Sequence, residues 1–175
     1  MSLVLIAEPE LESRDRGWVE AHRAAHDPHF SIVPPHFTLI FPGNSAEAPL
    51  LAHVREATQG LGPIRFVLRS ALVVKDALSP LTHVFLVPDE GFGQIVRLHD
   101  RLYTGALSKS LRLDIPYIPH IAIGAFEEPS DAKTLADDIN TAPLAIIGTL
   151  RELLLAAWDG ATLTPRARVA LQSSR

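Results

Sequence analysis

The sequence predicts an α+β protein with antiparallel-rich sheets, and three observations predict it. Strand-like and helix-like segments alternate, but two pairs of strands follow each other directly across turn signals, unlike a doubly wound parallel array. A chain of 175 residues makes one domain of ordinary size, or two small lobes sharing a core. A short Pro-His pattern recurs at about half the chain length, which is the mark of internal repetition.

Taken in order, residues 3–7 form a β-branched and aliphatic run closed by Glu8-Pro9, the pattern of a buried strand. A helix is predicted over 10–25, with Trp18, Val19, His22 and Ala25 at helical spacing, ended by Asp27-Pro28. Pro34-Pro35 introduces a strand over 36–41, closed by Pro42-Gly43. The next helix is expected over 49–59, with Pro49 in its first turn. Alternation of Ile64, Phe66 and Leu68 with Arg65, Val67 and Arg69 predicts a strand over 64–74, followed by another over 83–87. Residues 95–103 read as a helix, 118–126 as a strand, and 130–140 as a helix capped by Ser130. Segments 144–158 and 162–171 flank Asp159-Gly160, a hairpin signal. Neither a linker nor a low-complexity tract divides the chain, so residues 1–175 are expected to form a single two-lobed unit.

Composition narrows the functional classes. Sixteen basic against twenty acidic residues leave a net charge of −4, so no basic footprint points to duplex DNA as a partner. Zero cysteines exclude a disulfide scaffold, a thiolate nucleophile and Cys-ligated metal. No apolar run reaches the roughly 18–20 residues of a membrane helix, and residues 3–7 are too short for a signal-peptide core. A cytoplasmic monomer without membrane attachment is expected.

The chemistry lies in the repeat. Pro35-His36-Phe37-Thr38-Leu39-Ile40 resembles Pro119-His120-Ile121-Ala122-Ile123-Gly124, with the histidines 84 residues apart. On strands of period two, His36, Thr38 and Ile40 share one face, as do His120, Ala122 and Gly124. Two lobes packed about a pseudo-twofold axis would bring both faces to one cleft. There, two imidazoles can act as general base and general acid on opposite sides of one phosphorus, and a hydroxyl two residues on can hold a non-bridging oxygen. That scheme calls for no metal and no cofactor.

Other signals are weaker. His22 and His26 are spaced i,i+4, with His29 close behind, but a solvated helix face is the better reading than zinc. His53 and His99 read as helix-surface residues, while His83 and Phe85 alternate on a strand that borders the cleft. Arg65 and Arg69 read as a solvated sheet face. Gly91-Phe92-Gly93 lacks the third glycine of a dinucleotide fingerprint.

The stretch from Asp27-Pro28 to Pro34-Pro35-His36-Phe37-Thr38-Leu39-Ile40-Phe41-Pro42 resembles the first motif region of the 2H phosphoesterase superfamily, most closely the bacterial 2′-5′ RNA ligase-like proteins. Leu98 to Tyr103 with Ile118 to Gly124 resembles the second half of that pattern. The resemblance implies a bilobal α+β fold, with two antiparallel-rich sheets around a central cleft and helices outside. It also implies a metal-independent phosphodiesterase acting on 2′,3′-cyclic phosphates or 2′-5′ linked nucleotides, with a small nucleotide or an RNA end as its partner. His36 and His120 would be catalytic, with His120 as base and His36 as acid or the two roles swapped, since the sequence gives no orientation of the substrate, and Thr38 would bind phosphate. His83, Tyr117 and Phe126 are candidate substrate contacts. Ala122 departs from the family pattern, since Thr or Ser is expected there, and no Arg follows the second motif. Both departures keep open an alternative, a nucleotide- or RNA-end-binding protein on the same scaffold.

Overall fold

The computed structural model describes residues 1–77 and 79–173. Nine strands and four α-helices alternate along it: β1 (Ser2–Ala7), β2 (Glu10–Leu11), α1 (Ser13–His26), β3 (Phe37–Gly43), α2 (Glu47–Thr58), β4 (Ile64–Lys75), β5 (Thr82–Glu90), α3 (Phe92–Leu102), β6 (Ile121–Phe126), α4 (Pro129–Asn140), β7 (Ile146–Leu150), β8 (Glu152–Trp158) and β9 (Leu163–Ala170). They form two sheets, ordered β3-β1-β8-β9 and β2-β7-β4-β5-β6. Every pairing between these strands is antiparallel. This is the expected α+β class.

Each histidine motif leads into an edge strand, β3 or β6, rather than a central one. Reading each sheet inward from that edge gives the same plan twice. β3 pairs with β1 and β6 pairs with β5, and each pair is joined through a helix. The helices then cross over: α1 packs on β6, and α3 packs on β3. One apolar core runs through both halves, with Phe37 edge-on to Phe66 at a centroid separation of 5.0 Å.

β1 is apolar along nearly its whole length because both of its faces are covered. Leu3, Leu5 and Ala7 enter the main core, while Val4 and Ile6 join Leu154 and Ala156 in a second cluster behind the sheet. Several boundaries differ from the sequence reading for identifiable reasons. Glu10-Leu11 pairs with β7, so α1 starts at Ser13 instead of Glu10. Pro129 opens α4 at its first turn, where a missing N–H costs nothing, so Ser130 lies inside the helix and is not its cap. α3 starts early because Gly91 adopts φ +82°, and a Cβ there would lie 2.5 Å from the Arg65 carbonyl oxygen. The single strand expected over 144–158 is two strands in different sheets, and Arg151 makes the switch. The expected hairpin joins β8 to β9, where the Asp159 carboxylate accepts the Ala161 and Thr162 N–H groups.

Candidate active site

His36 and His120 stand one residue before β3 and β6, each held by the same local bond. His36 Nδ1 meets the Pro34 carbonyl at 2.9 Å, and His120 Nδ1 meets the Ile118 carbonyl at 2.6 Å. A carbonyl only accepts, so Nδ1 of each ring carries the proton and donates it. In the neutral imidazole Nε2 is then the basic nitrogen. The repeat seen in the sequence therefore extends to tautomer.

Both rings line one cleft of about 330 Å³, together with Thr38, Ala122 and His83. Its floor is the rear face of the first sheet, with Val4 and Ile6 from β1, and its opposite wall is Phe85 and His83 of β5. Thr38 lies opposite Ile6, and Ala122 opposite Phe85, so the positions two residues after each histidine face the cavity. Beyond them strict alternation fails. The β1–β3 register slips between Leu5 and Ile6, leaving Leu39 as an extra residue, and the β5–β6 register slips between Val84 and Phe85, leaving Ile123 extra. Each bulge sits three residues after its histidine. It turns Ile40 and Gly124 away from the cleft, correcting the expectation that they share the histidine face. Phe41 reaches the cleft instead. Gly124 ends up against α1, where a Cβ would lie 3.0 Å from that of His26.

Burial makes both imidazoles harder to protonate. Burial lowers the His120 pKa to about 4; the Ile118 carbonyl opposes this, while the positive charge of His36 and His83 adds to it. Burial also lowers that of His36, but the Pro34 carbonyl and the Asp27 carboxylate favour its proton against Arg23 and His29. Phe85 stacks flat on His120, with centroids 3.5 Å apart and planes 11° apart. His83 is tilted against the same Phe85 at 5.6 Å, and its Nε2 lies 3.6 Å from Asp76 Oδ2.

Tyr117 and Phe126, expected as candidate substrate contacts, do not line the cleft. Tyr117 is a strut: its hydroxyl donates to the Thr38 carbonyl at 3.0 Å, and its ring stacks on His99 at 3.6 Å. Phe126 falls beyond the β6 bulge and packs against His26 of α1. His99, read as a surface residue, is 3% exposed because Tyr103 and Tyr117 enclose it. Arg65 and Arg69 are paired across the strands with Glu90 and Asp89. Among the described residues no three His, Cys, Asp or Glu side chains gather as a metal site would need.

As cleft residues, Arg23, Asp27 and Trp158 were missed by sequence reading, whereas Phe85 lies on the strand expected to border the cleft. Arg23 is 1% exposed, with Nε on Asp27 at 2.9 Å, Nη2 on the Val33 carbonyl at 2.7 Å and Nη1 near Glu20 at 3.4 Å. Its i,i+4 spacing to Asp27 at the helix stop was the available signal.

Residues 9–162 match the model of the 2′-5′ RNA ligase superfamily. A curated Bacillus licheniformis protein named "Putative phosphoesterase" is 24% identical over 134 residues, which are 75% of this chain and 69% of that protein. One of the same designation from Halalkalibacterium halodurans is 27% identical over 117 residues, 63% of this chain and 65% of its own length. The crystal structure of TT0787 of Thermus thermophilus superposes with a TM-score of 0.68 at 18% identity, covering both chains fully. E. coli LigT complexed with 3′-AMP gives a TM-score of 0.57 at 17% identity, covering 98% of each chain. At such identities the structural likeness speaks for the fold.

Proposed function

The chain belongs to the 2′-5′ RNA ligase superfamily of 2H phosphoesterases, and from that premise we propose that it is a phosphodiesterase acting on 2′,3′-cyclic phosphates or 2′-5′ linked nucleotides. The observation that carries the reading is the pair of histidines, each with Nδ1 tied to a carbonyl two residues back, lining one cleft. His120 is the general base. Its pKa of about 4 keeps it neutral, and the groups that shift it electrostatically are the positively charged forms of other histidines. His36 is assigned the general acid: burial lowers its pKa too, but the Asp27 carboxylate favours its protonated form, and no carboxylate acts so on His120.

In the hydrolytic direction, His120 Nε2 takes a proton from water as the water oxygen bonds to phosphorus. The bond from phosphorus to the ribose oxygen breaks, and His36 Nε2–H protonates the departing oxygen. The product is the ring-opened monoester, and each histidine ends in the other's starting state. Thr38 donates its hydroxyl to a non-bridging oxygen. Phe85 supports the His120 ring plane.

The assay is turnover of nucleoside 2′,3′-cyclic phosphates by the wild type, His36→Ala and His120→Ala, with and without chelator. Turnover that is indifferent to chelator and lost in both variants supports the reading, and unchanged turnover in the variants overturns it. Ala122, which brings no hydroxyl to the His120 side, favours a second reading as a nucleotide-binding protein with lost catalysis. Tight product binding without any turnover would distinguish it.

A further inference from the structure

We infer that the cleft serves a small, singly charged phosphodiester with an apolar or aromatic ester group, and not the end of an RNA chain. The inference rests on the proposed phosphodiesterase reading and narrows its substrate.

Charge is the first argument. Among the described residues, Arg23 is the one Lys or Arg side chain lining the cleft, and all three of its guanidinium nitrogens are already engaged by Asp27, Val33 and Glu20. Asp27 adds a carboxylate to the same lining, and the remaining positive charge comes from His29, His36, His83 and His120 when protonated. The proposed reaction sets one imidazolium, His36, against the reacting phosphodiester, and among the described residues lining the cleft no permanently charged cation is free for a second phosphate. A nucleic-acid chain brings a charge with every linkage, and proteins that hold such chains line the path with unpaired cations. Outside the cleft lining, the arginines of β4 and Arg168 of β9 are paired with acids. Arg168, on the strand that also carries Leu163, meets Glu152 and Glu8, while Arg65 and Arg69 on β4 meet Glu90 and Asp89.

Size and lining are the second argument. About 330 Å³ is at the small end of ligand pockets, enough for one compact ester. Val4, Ile6, Phe41, Phe85, Trp158 and Leu163 dominate the wall. Such a surface favours an aromatic or aliphatic group and resists a second phosphate, which would be desolvated without a partner.

The experiment compares an adenosine 2′,3′-cyclic phosphate with a trinucleotide ending in the same cyclic phosphate, at salt from about 50 to about 300 mM. The expected result is a kcat/KM at least roughly tenfold higher for the mononucleotide, with a log–log salt slope near zero. A preference for the trinucleotide, or a slope of about −2 or steeper, overturns the inference. The same comparison is made by calorimetry with His120→Ala, using 3′-AMP and a 3′-phosphorylated trinucleotide. Binding thus reads the charge argument even if turnover fails. Absent turnover with mononucleotide-selective binding sinks the enzymatic reading alone, whereas trinucleotide-selective, salt-sensitive binding sinks this one.

Discussion

At the scale of single residues, the proposed reaction turns on two imidazoles, both of which burial makes harder to protonate. The base must be neutral, so activity rises as pH climbs through the His120 value of about 4. The acid must be protonated, so activity falls as pH passes the His36 value, which lies below its ordinary 6.5. The kcat/KM profile is therefore expected to be a bell with its optimum on the acid side of neutrality, and an optimum above pH ~7 would contradict the assignment. His36→Ala and His120→Ala are each expected to cost about 100-fold or more in kcat, measured in steady state on a cyclic phosphate. Thr38→Ala is expected to cost about 10- to 100-fold, the worth of one hydrogen bond to a developing charge. Ala122→Ser adds an oxygen on the cleft-facing position opposite Phe85 and is expected to raise kcat by up to a similar factor. A fall in kcat with the fold intact would instead make Ala122 a space-maker for the substrate. The histidines and Thr38 were legible because residue type and repeat spacing coincide. Arg23 and Trp158 were not, since a buried arginine on a polar helix and an aromatic at a strand end look like ordinary residues until their neighbours are known.

At the scale of elements, what periodicity conveys ends where the register slips. The faces of Thr38 and Ala122 follow from counting in twos, but those of Ile40, Gly124 and Phe126 do not, because an extra residue at Leu39 and at Ile123 resets the count. A bulge leaves little trace in composition, so Phe126 was placed in the cleft when it packs on α1. The same limit applies to residues 144–158: an unbroken apolar run is what one long strand and two strands of different sheets both look like. β6 and α1 depend on the β6 bulge, since it puts Gly124 beneath the helix. In Gly124→Ala the added Cβ would meet Phe126 at 2.9 Å and His26 at 3.0 Å. Overpacking of that kind is expected to cost about 1–3 kcal/mol, read as a lowered Tm. Because α1 also carries Arg23 and the Asp27 stop beside His36, the loss is expected to come with a reduced kcat.

At the scale of the molecule, the two halves exchange helices: α1 lies on β6 and α3 on β3, so neither histidine strand is supported wholly by its own half. Tyr103 and Tyr117 reinforce this from the α3 side, through the Phe41 N–H and the Thr38 carbonyl. Apart from β2 and the split of 144–158 into β7 and β8, the order of strands and helices was legible in the sequence, but this exchange was not, because it depends on which surfaces meet across the core. The arrangement buries histidines at the junction, and burial lowers the pKa of His36, His99 and His120 alike. Unfolded, each would titrate near 6.5. Between that value and the lower folded one, the unfolded chain binds more protons. Stability is then complete above pH ~7 and declines as pH falls, for His120 down to about 4, by up to about 1.4 kcal/mol per pH unit for that residue, with His36 and His99 acting in the same direction. The strongly shifted carboxylates, Asp114 and Asp159, have folded values of about 2 and ordinary values near 3.8, so their contribution disappears at lower pH than this window. Urea unfolding between pH ~6.5 and ~4.5 is therefore expected to show a midpoint falling with pH. His99→Phe keeps an aromatic ring against Tyr103 and Tyr117 and removes the titration, so it should flatten that dependence while leaving cleft chemistry in place. His120→Phe should flatten it further and abolish turnover. A midpoint that is level across the window in the wild type would show that these imidazoles are as easily protonated folded as unfolded, and the expected pH optimum on the acid side of neutrality would fall with it.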